Sequence, residues 1–369
     1  MLNVVHYVSI MNRGGEETLI MNIFRNIDRN KFKFSFLCTE RAKGAYDDEI
    51  LSLGGIIHYI QLDRINSKFK QIANKNILRD YLKVHKDEID VFHIHTQHAM
   101  VAYFSALAAQ QAGIKKIIVH SHNNNTLYHR KAHFIFRPLL NSLHITRLAC
   151  SIEAGKWLFG NKKVTVLYNA IDPKKFEFDK NKREEIRSNL NVEDNIVVGH
   201  VGRFNEQKNH KYIIDIFEKL VRMDDNYRLM LIGSGELENE IKEISREKGI
   251  YDKILFMGVS DRVNELYNAM DLFLFPSKFE GLPVVLIETQ TNGLNCVISS
   301  TITKEIGLTK SIHWLSLSNN SEYWARYIND NIDSLRLRNN NDEIIEKSLY
   351  NMKNQIKIIE RIYSSDEEN

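Results

Sequence analysis

DLFLFPSKFEGLPVVLIETQ, residues 271–290, decides how the rest of the chain is read. Asp271 to Phe275 is a short apolar run that stops at Pro276, the pattern of a strand buried on both faces. Ser277 to Leu282 follows as a loop that carries Glu280 and Gly281. Pro283 suits the first position of a helix, where its missing N–H costs nothing. Val284 to Thr291 continues the helix, Gly293 ends it, and Asn295 to Ser299 is the next strand. Strand, loop, helix, strand is the repeat of a parallel sheet with helices on its outside.

Ligands of such sheets sit beyond the carboxyl ends of the strands, which makes loop 277–282 a place for a site. Free N–H groups at the start of the helix would face an anion there. Glu280 in the loop and Glu288 a little over one turn into the helix can face one pocket and accept hydrogen bonds from hydroxyls. Spacing alone leaves a second reading open, with Glu280 solvated and Glu288 offsetting the helix dipole. The surrounding residues decide between the two. F-E-G-L-P followed by V-L-I-E resembles the E-x7-E signature of retaining glycosyltransferases of the GT-B fold, glycosyltransferase family 4. That resemblance implies that Glu280 contacts the transferred sugar and Glu288 the ribose hydroxyls, with Gly281 and Leu282 lining the donor.

At 369 residues the chain is long enough for two domains. Lys and Arg number 50 against 47 Asp and Glu, a net charge of +3 that argues against nucleic acid as a partner. Cys38, Cys150 and Cys296 lie far apart in apolar settings, as reduced thiols of a cytoplasmic protein would. The opening MLNVVHYVSI reads as a first strand without the basic region of a signal peptide. No apolar run reaches the roughly 18 residues of a membrane span.

Upstream, strand and helix patterns alternate. Val4–Ile10 is a strand, Asn12 to Gly15 a turn and Glu16–Arg25 a helix. Gly14 and Gly15 let backbone come close to a ligand, although Glu16 and Glu17 would repel an anion. The resemblance places the family's G-G loop here, against the donor pyrophosphate and the acceptor. Strands follow at 32–38, 56–60, 90–95 and 116–120, with helices at 68–85 and 100–112. His93, His95, His98, His120, His122 and His129 raise the question of zinc, but H-E-x-x-H and paired cysteines at ligand spacing are both missing. The VHSHN segment resembles the family's strand-end histidine, which touches the transferred sugar. His122 is the better match and His120 the fallback.

Residues 128–147 mix His129, Arg130, Lys131, Arg137 and Arg147 with Phe134, Phe136, Leu139 and Leu140. They fit either an amphipathic helix packed on the sheet or a basic, apolar surface for anionic lipid headgroups. Tyr168 to Pro173, YNAIDP, resembles the family's interdomain motif, and the charged stretch 174–187 suits a linker.

The second half opens with strand Ile196–Val201, then G-R-F-N-E-Q-K-N at 202–209 and a helix from His210 to Arg222. A diphosphate needs two cations beside a helix start, and Arg203 and Lys208 are placed to supply them. This G-R-x4-K-N resembles the family's pyrophosphate motif. Gly233-Ser234-Gly235-Glu236 follows strand 227–232, but Glu238 stands where a dinucleotide fingerprint needs its third glycine, so NAD is rejected. By resemblance Gly233 and Gly235 leave room beside the nucleotide, and Val259, after strand 254–258, neighbours the base. The last well-marked strand is 295–299. A final helix, Asp342 to Tyr363, places Ile345, Leu349, Met352, Ile356 and Ile359 on one stripe before the tail SSDEEN.

The resemblance therefore implies an α/β chain of two facing, doubly wound Rossmann-like domains. Residues 1–170 would be the acceptor side, 171–342 the nucleotide-sugar side, and 343–369 a helix returning to the first domain with a disordered tail. It implies transfer with retention from a nucleotide-sugar, most commonly a UDP-sugar, without a metal cofactor. The acceptor would be a glycan, a lipid-linked glycan or a protein in bacterial surface polysaccharide synthesis, met in the cytoplasm or at the inner face of the membrane. Competing readings are a nucleotide-sugar epimerase of the same fold and a non-catalytic partner subunit.

Overall fold

The computed structural model describes residues 1–62, 70–123, 130–280 and 282–365. The chain divides into two compact units, Met1–Ala170 with Met352–Asn369, and Ile171–Asn351. The boundary falls within the YNAIDP segment.

In the first unit the chain runs β1 (Leu2–Val8), α1 (Gly15–Asn26), β2 (Phe32–Cys38), α2 (Asp47–Ser52), β3 (Ile56–Tyr59) and α3 (Lys70–His85). It continues through β4 (Val91–Thr96), α4 (Ala99–Ala112), β5 (Lys116–Ser121), α5 (Arg130–Asn141), β6 (Thr146–Ala149), α6 (Ile152–Phe159) and β7 (Thr165–Val166). Among the described residues these strands form one sheet in the order β3-β2-β1-β4-β5-β6-β7, every pair parallel. Parallel pairing forces a crossover between neighbours, and helices on both faces bury the strands. Accordingly all residues of β4 and of β5 are buried.

The second unit runs α7 (Lys180–Asn189), β8 (Ile196–Val201), α8 (His210–Met223), β9 (Tyr227–Ile232), α9 (Glu238–Glu247), β10 (Ile254–Gly258), α10 (Val263–Ala269) and β11 (Leu272–Phe275). Then come α11 (Val284–Thr291), β12 (Cys296–Ser299), β13 (Ile312–Leu315), α12 (Ser321–Asp330), α13 (Ile332–Leu335) and α14 (Asp342–Lys347). Its parallel sheet has the order β10-β9-β8-β11-β12-β13. Counted within the unit this is 3-2-1-4-5-6, the dinucleotide-fold order, whose switch point lies between the first and fourth strands. Those strands are β8 and β11, so the loops after them, 202–209 and 276–282, flank the switch point.

Three features differ from the sequence expectation. The terminal helix is two helices: α14 ends at Lys347, and α15 (Met352–Ser364) begins anew in the first unit. Between them Ser348 is extended, Tyr350 O accepts from Ile171 N and Asn351 bridges Ile171, so the helix cannot run through. Leu349 is exposed rather than on the buried stripe, while Met352, Ile356, Ile359 and Tyr363 are buried. The charged stretch 174–187 is not a free linker, because its second part is α7. Arg183 and the buried Arg187 both pair with Asp271, just before β11. Finally, β13 extends the sheet beyond β12. A four-residue strand flanked by serines gives too short a pattern to stand out.

Candidate active site

The two loops at the second sheet's switch point are tied together residue by residue. Lys278 N donates to Gln207 O at 2.9 Å, and Gln207 Nε2 donates to Phe279 O at 3.0 Å. Asn209 Nδ2 donates to Pro276 O at 3.1 Å. Asn209 holds the N-cap position of α8 with φ +61°, and no side-chain bond caps the helix. Its amide serves the facing loop instead, so this side chain does not occupy the first N–H groups of α8.

Lys208 Nζ lies 2.7 Å from Glu280 Oε1. Both side chains are largely buried, at 17% and 8% exposure, and the ammonium also sits 4.7 Å from the centre of the Phe275 ring. On sequence these two residues have separate tasks; the fold makes them partners because their loops leave neighbouring strands. Arg203, by contrast, is 71% exposed and pairs with Glu236 at 3.1 Å.

Gly233 and Gly235 have a reason other than space for a nucleotide. Gly233 has φ +135°, and a Cβ on it would meet Gly202 O at 2.2 Å. A Cβ on Gly235 would meet Phe204 O at 2.5 Å. These glycines let the turn after β9 pack against the Arg203 loop, where Phe204 N donates to Ser234 O. Val259 is 70% exposed, and Leu282 is half-buried just before α11. Gly281 lies outside the described residues.

Glu288 is half-buried on α11 and accepts from the Tyr267 hydroxyl at 2.6 Å. Loss of solvent pushes the carboxyl up to about 7, against the pull of that hydrogen bond. Tyr267 is fully buried on α10, and sequence spacing gave no sign of it.

In the first unit Gly14 and Gly15 lead into α1. Neither has positive φ, and a Cβ on Gly15 would meet nothing within 4 Å. The protein backbone therefore does not itself require glycine at 15. Glu16 is pushed up to about 8 by burial and by Glu17, so at neutral pH it holds its proton. The anion repulsion expected of the Glu16–Glu17 pair is correspondingly reduced.

The histidines gather on one face of this sheet. His6 Nδ1 lies 2.9 Å from His95 Nε2, and His95 Nδ1 lies 2.9 Å from His122 Nε2. His93 Nδ1 meets the Tyr363 hydroxyl of α15 at 2.9 Å. His120 is buried with neither ring nitrogen bonded. Among the described residues two triads, His6–His93–His95 and His95–His120–His122, are close enough to hold a metal ion. His98 is elsewhere, capping α4, and His129 lies outside the described residues. Sequence reading missed His6. Its signal was a histidine inside an apolar strand, the residue type found twice on β4. Burial lowers His122 to about 3, so the ring is neutral and acts through hydrogen bonds rather than charge.

On α5, His133 and Leu140 face inward, whereas Phe134, Ile135 and Leu139 are exposed beside Arg130, Lys131 and Arg137. The helix thus packs on the fold and still presents apolar side chains outward. No helix among the described residues is long and apolar enough to cross a membrane.

Two family models match the chain. The glycosyltransferase family 4 model covers residues 13–175, and the glycosyl transferases group 1 model covers residues 181–348. The chain is 35% identical over 338 residues to a putative glycosyltransferase, EpsF, of Bacillus subtilis, spanning 88% of this chain and 86% of that protein. It is 28% identical over 319 residues to a capsular polysaccharide biosynthesis glycosyltransferase, CapH, of Staphylococcus aureus, spanning 83% and 82%. Among solved structures it resembles Anabaena HepE in complex with UDP, with a TM-score of 0.79 at 18% identity over 98% of this chain and all of that one. The galactosyltransferase WaaB of the lipopolysaccharide outer core matches with a TM-score of 0.71 at 16% identity, over 98% and 99%. These likenesses establish GT-B architecture.

Proposed function

This chain belongs to glycosyltransferase family 4, and we propose that it moves a hexosyl group from a UDP-sugar to a glycan or lipid-linked acceptor in bacterial surface polysaccharide synthesis. The observation that carries this is the Lys208–Glu280 pair, with Arg203, at the switch point of the second sheet. Cation, carboxylate and helix N-terminus converge there, as a donor with a diphosphate and a sugar requires. The capsular relative and the UDP-bound structural neighbour support the pathway and the nucleotide.

In this reading the diphosphate takes Lys208 and Arg203. Stabilising the departing phosphate is the main electrostatic task of the reaction. Glu280, released from Lys208, accepts from a sugar hydroxyl and faces the positive charge developing at the anomeric carbon. Glu288 holds the ribose, Val259 and Leu282 border the nucleoside, and Gly14 and Gly15 admit the donor or acceptor backbone-close. His122 meets a sugar oxygen, with His120 the alternative. Transfer proceeds with retention, the donor phosphate taking the acceptor's proton. No metal is needed, since the two cations neutralise the leaving group. The protein works in the cytoplasm, where the apolar outer side of α5 and its flanking cations touch the inner face of the membrane.

The test is a metal-free screen of UDP-, GDP- and ADP-sugars by thermal shift and slow donor hydrolysis, on wild type and Glu288→Ala. A shift and nucleotide release with UDP-sugars, lost in the variant, is the expected result. A changed sugar recovered still on its nucleotide would mean an epimerase, and silence toward all donors a non-catalytic subunit. Co-sedimentation with vesicles containing anionic lipid, weakened by Ile135→Asp, checks the membrane contact.

A further inference from the structure

Five imidazoles stand side by side across the first sheet. His6 is in register with His93, and His95 with His120, while His122 follows the end of β5. Ring centroids of neighbours are 4.2–5.6 Å apart. Two 2.9 Å hydrogen bonds thread three of these rings into one line, from His6 through His95 to His122.

Burial keeps His6, His95 and His122 neutral, each pushed below the usual histidine value. Each ring then carries one N–H, and each of the two gaps holds one proton. Only two arrangements satisfy both gaps. If the N–H groups point inward, His122 donates to His95, His95 donates to His6, and His6 must carry its proton on Nε2. If they point outward, His6 and His95 donate from Nδ1, and His6 Nε2 holds only a lone pair. His6 Nε2 is fully buried without a hydrogen-bond partner. A buried N–H left unpaired is the rarer and costlier of the two defects. The outward arrangement is therefore favoured, and it leaves the proton of His122 on Nδ1. That nitrogen has no hydrogen-bond partner among the described residues, and His122 is only half-buried.

The same rings could be taken for a metal cage. However, the charges acting on His93, His95 and His120 are those of other histidines, with no carboxylate or thiolate among them. A divalent cation bound there would have no charged protein ligand and would need an exogenous anion to balance it.

We propose that His6 and His95 are positioning residues that fix His122 as its Nδ1–H tautomer, so that it presents a hydrogen-bond donor to a ligand oxygen at the carboxyl edge of the first sheet. The ligand's identity as a sugar rests on the function proposed above; the tautomer does not.

The experiment is long-range proton–nitrogen correlation NMR on the full-length protein with nitrogen-15 histidine, assigning His122 by its loss in His122→Gln. In wild type, His6, His95 and His122 should be neutral with the proton on Nδ1, unchanged from pH 6 to 8. His6→Phe should return His122 to a mixture of tautomers. It should also lower kcat for donor hydrolysis about fivefold to tenfold, the size of one weakened hydrogen bond, at unchanged donor KM. His6→Asn, whose amide N–H stands where Nδ1–H stood, should restore both readouts, and it keeps the test decisive if His6→Phe does not fold. A proton on Nε2 of His122 in wild type would overturn the proposal. So would an unchanged tautomer in His6→Phe, or stoichiometric zinc in purified protein with metal-shifted ring signals. Full activity of His122→Gln alongside the Nδ1–H assignment would uphold the tautomer and remove the sugar contact from the proposed function.

Discussion

Lys208 and Glu280, 72 residues apart in sequence, form a 2.7 Å ion pair at the point where the second sheet reverses its strand order. Each is the other's charge partner in a largely buried setting. Removing one leaves the other uncompensated, which costs roughly 3 kcal/mol for buried pairs. In a double-mutant cycle of Lys208→Met and Glu280→Gln, the stability losses of the two single variants should together exceed the loss of the double variant. The coupling from urea unfolding should be about 1–3 kcal/mol. A coupling near zero would mean that the pair does not hold the loops.

Arg203 should behave in the opposite way. Its pair with Glu236 is exposed on both sides, and such pairs contribute about 0–1 kcal/mol. Arg203→Ala should therefore leave the urea midpoint almost unchanged. Transfer should nevertheless slow by about 100-fold in kcat/KM, the loss typical of one preorganised charge stabiliser. Normal donor kinetics would remove Arg203 from the site.

Glu288 sets a pH dependence with a definite sign. Its folded value of about 7 lies above the ordinary 4.5, so the folded protein holds a proton that the unfolded chain releases. Its contribution is fully present below pH 4.5 and is lost as pH rises toward and through 7. Between pH 5 and about 8, wild-type Tm should fall more steeply than that of Glu288→Gln. Affinity for a UDP-sugar should move the other way, rising as Glu288 ionises and can accept from both ribose hydroxyls. Titration calorimetry at pH 6 and 8 would show it, and equal affinities would separate Glu288 from the ribose.

Two glycine substitutions should give opposite results. Gly233→Ala forces a Cβ to within 2.2 Å of a backbone oxygen at φ +135°. Strain of that kind costs about 1–3 kcal/mol and should displace the Arg203 loop, lowering both Tm and donor affinity. Gly15→Ala meets no atom within 4 Å, so Tm should hold. Activity lost in Gly15→Ala without loss of Tm would report a ligand that approaches the backbone there. Retained activity would remove Gly15 from the binding surface.

The alternation of strand and helix was legible in the sequence because it depends on neighbours. The apolar run 271–275, its stop at Pro276 and the helix after Pro283 are local signals, and the structure has β11 and α11 there. The same local pattern places Arg203, Lys208, Glu280 and His122 at strand ends, while their choice as site residues rests on the resemblance of their motifs to those of the family. The break between α14 and α15 was not legible, since it depends on pairing of Tyr350 and Asn351 with distant Ile171. Nor were the partnerships. Lys208 with Glu280, Tyr267 with Glu288, and His6 with His95 are separated by 72, 21 and 89 residues. In a parallel sheet each neighbouring strand arrives through a crossover, so spacing along the chain carries no record of which side chains meet. The sequence by itself determined which residue types stand at the strand ends. Only the tertiary structure, by choosing the strand order, decided which of them face each other and therefore which charges and protons they share.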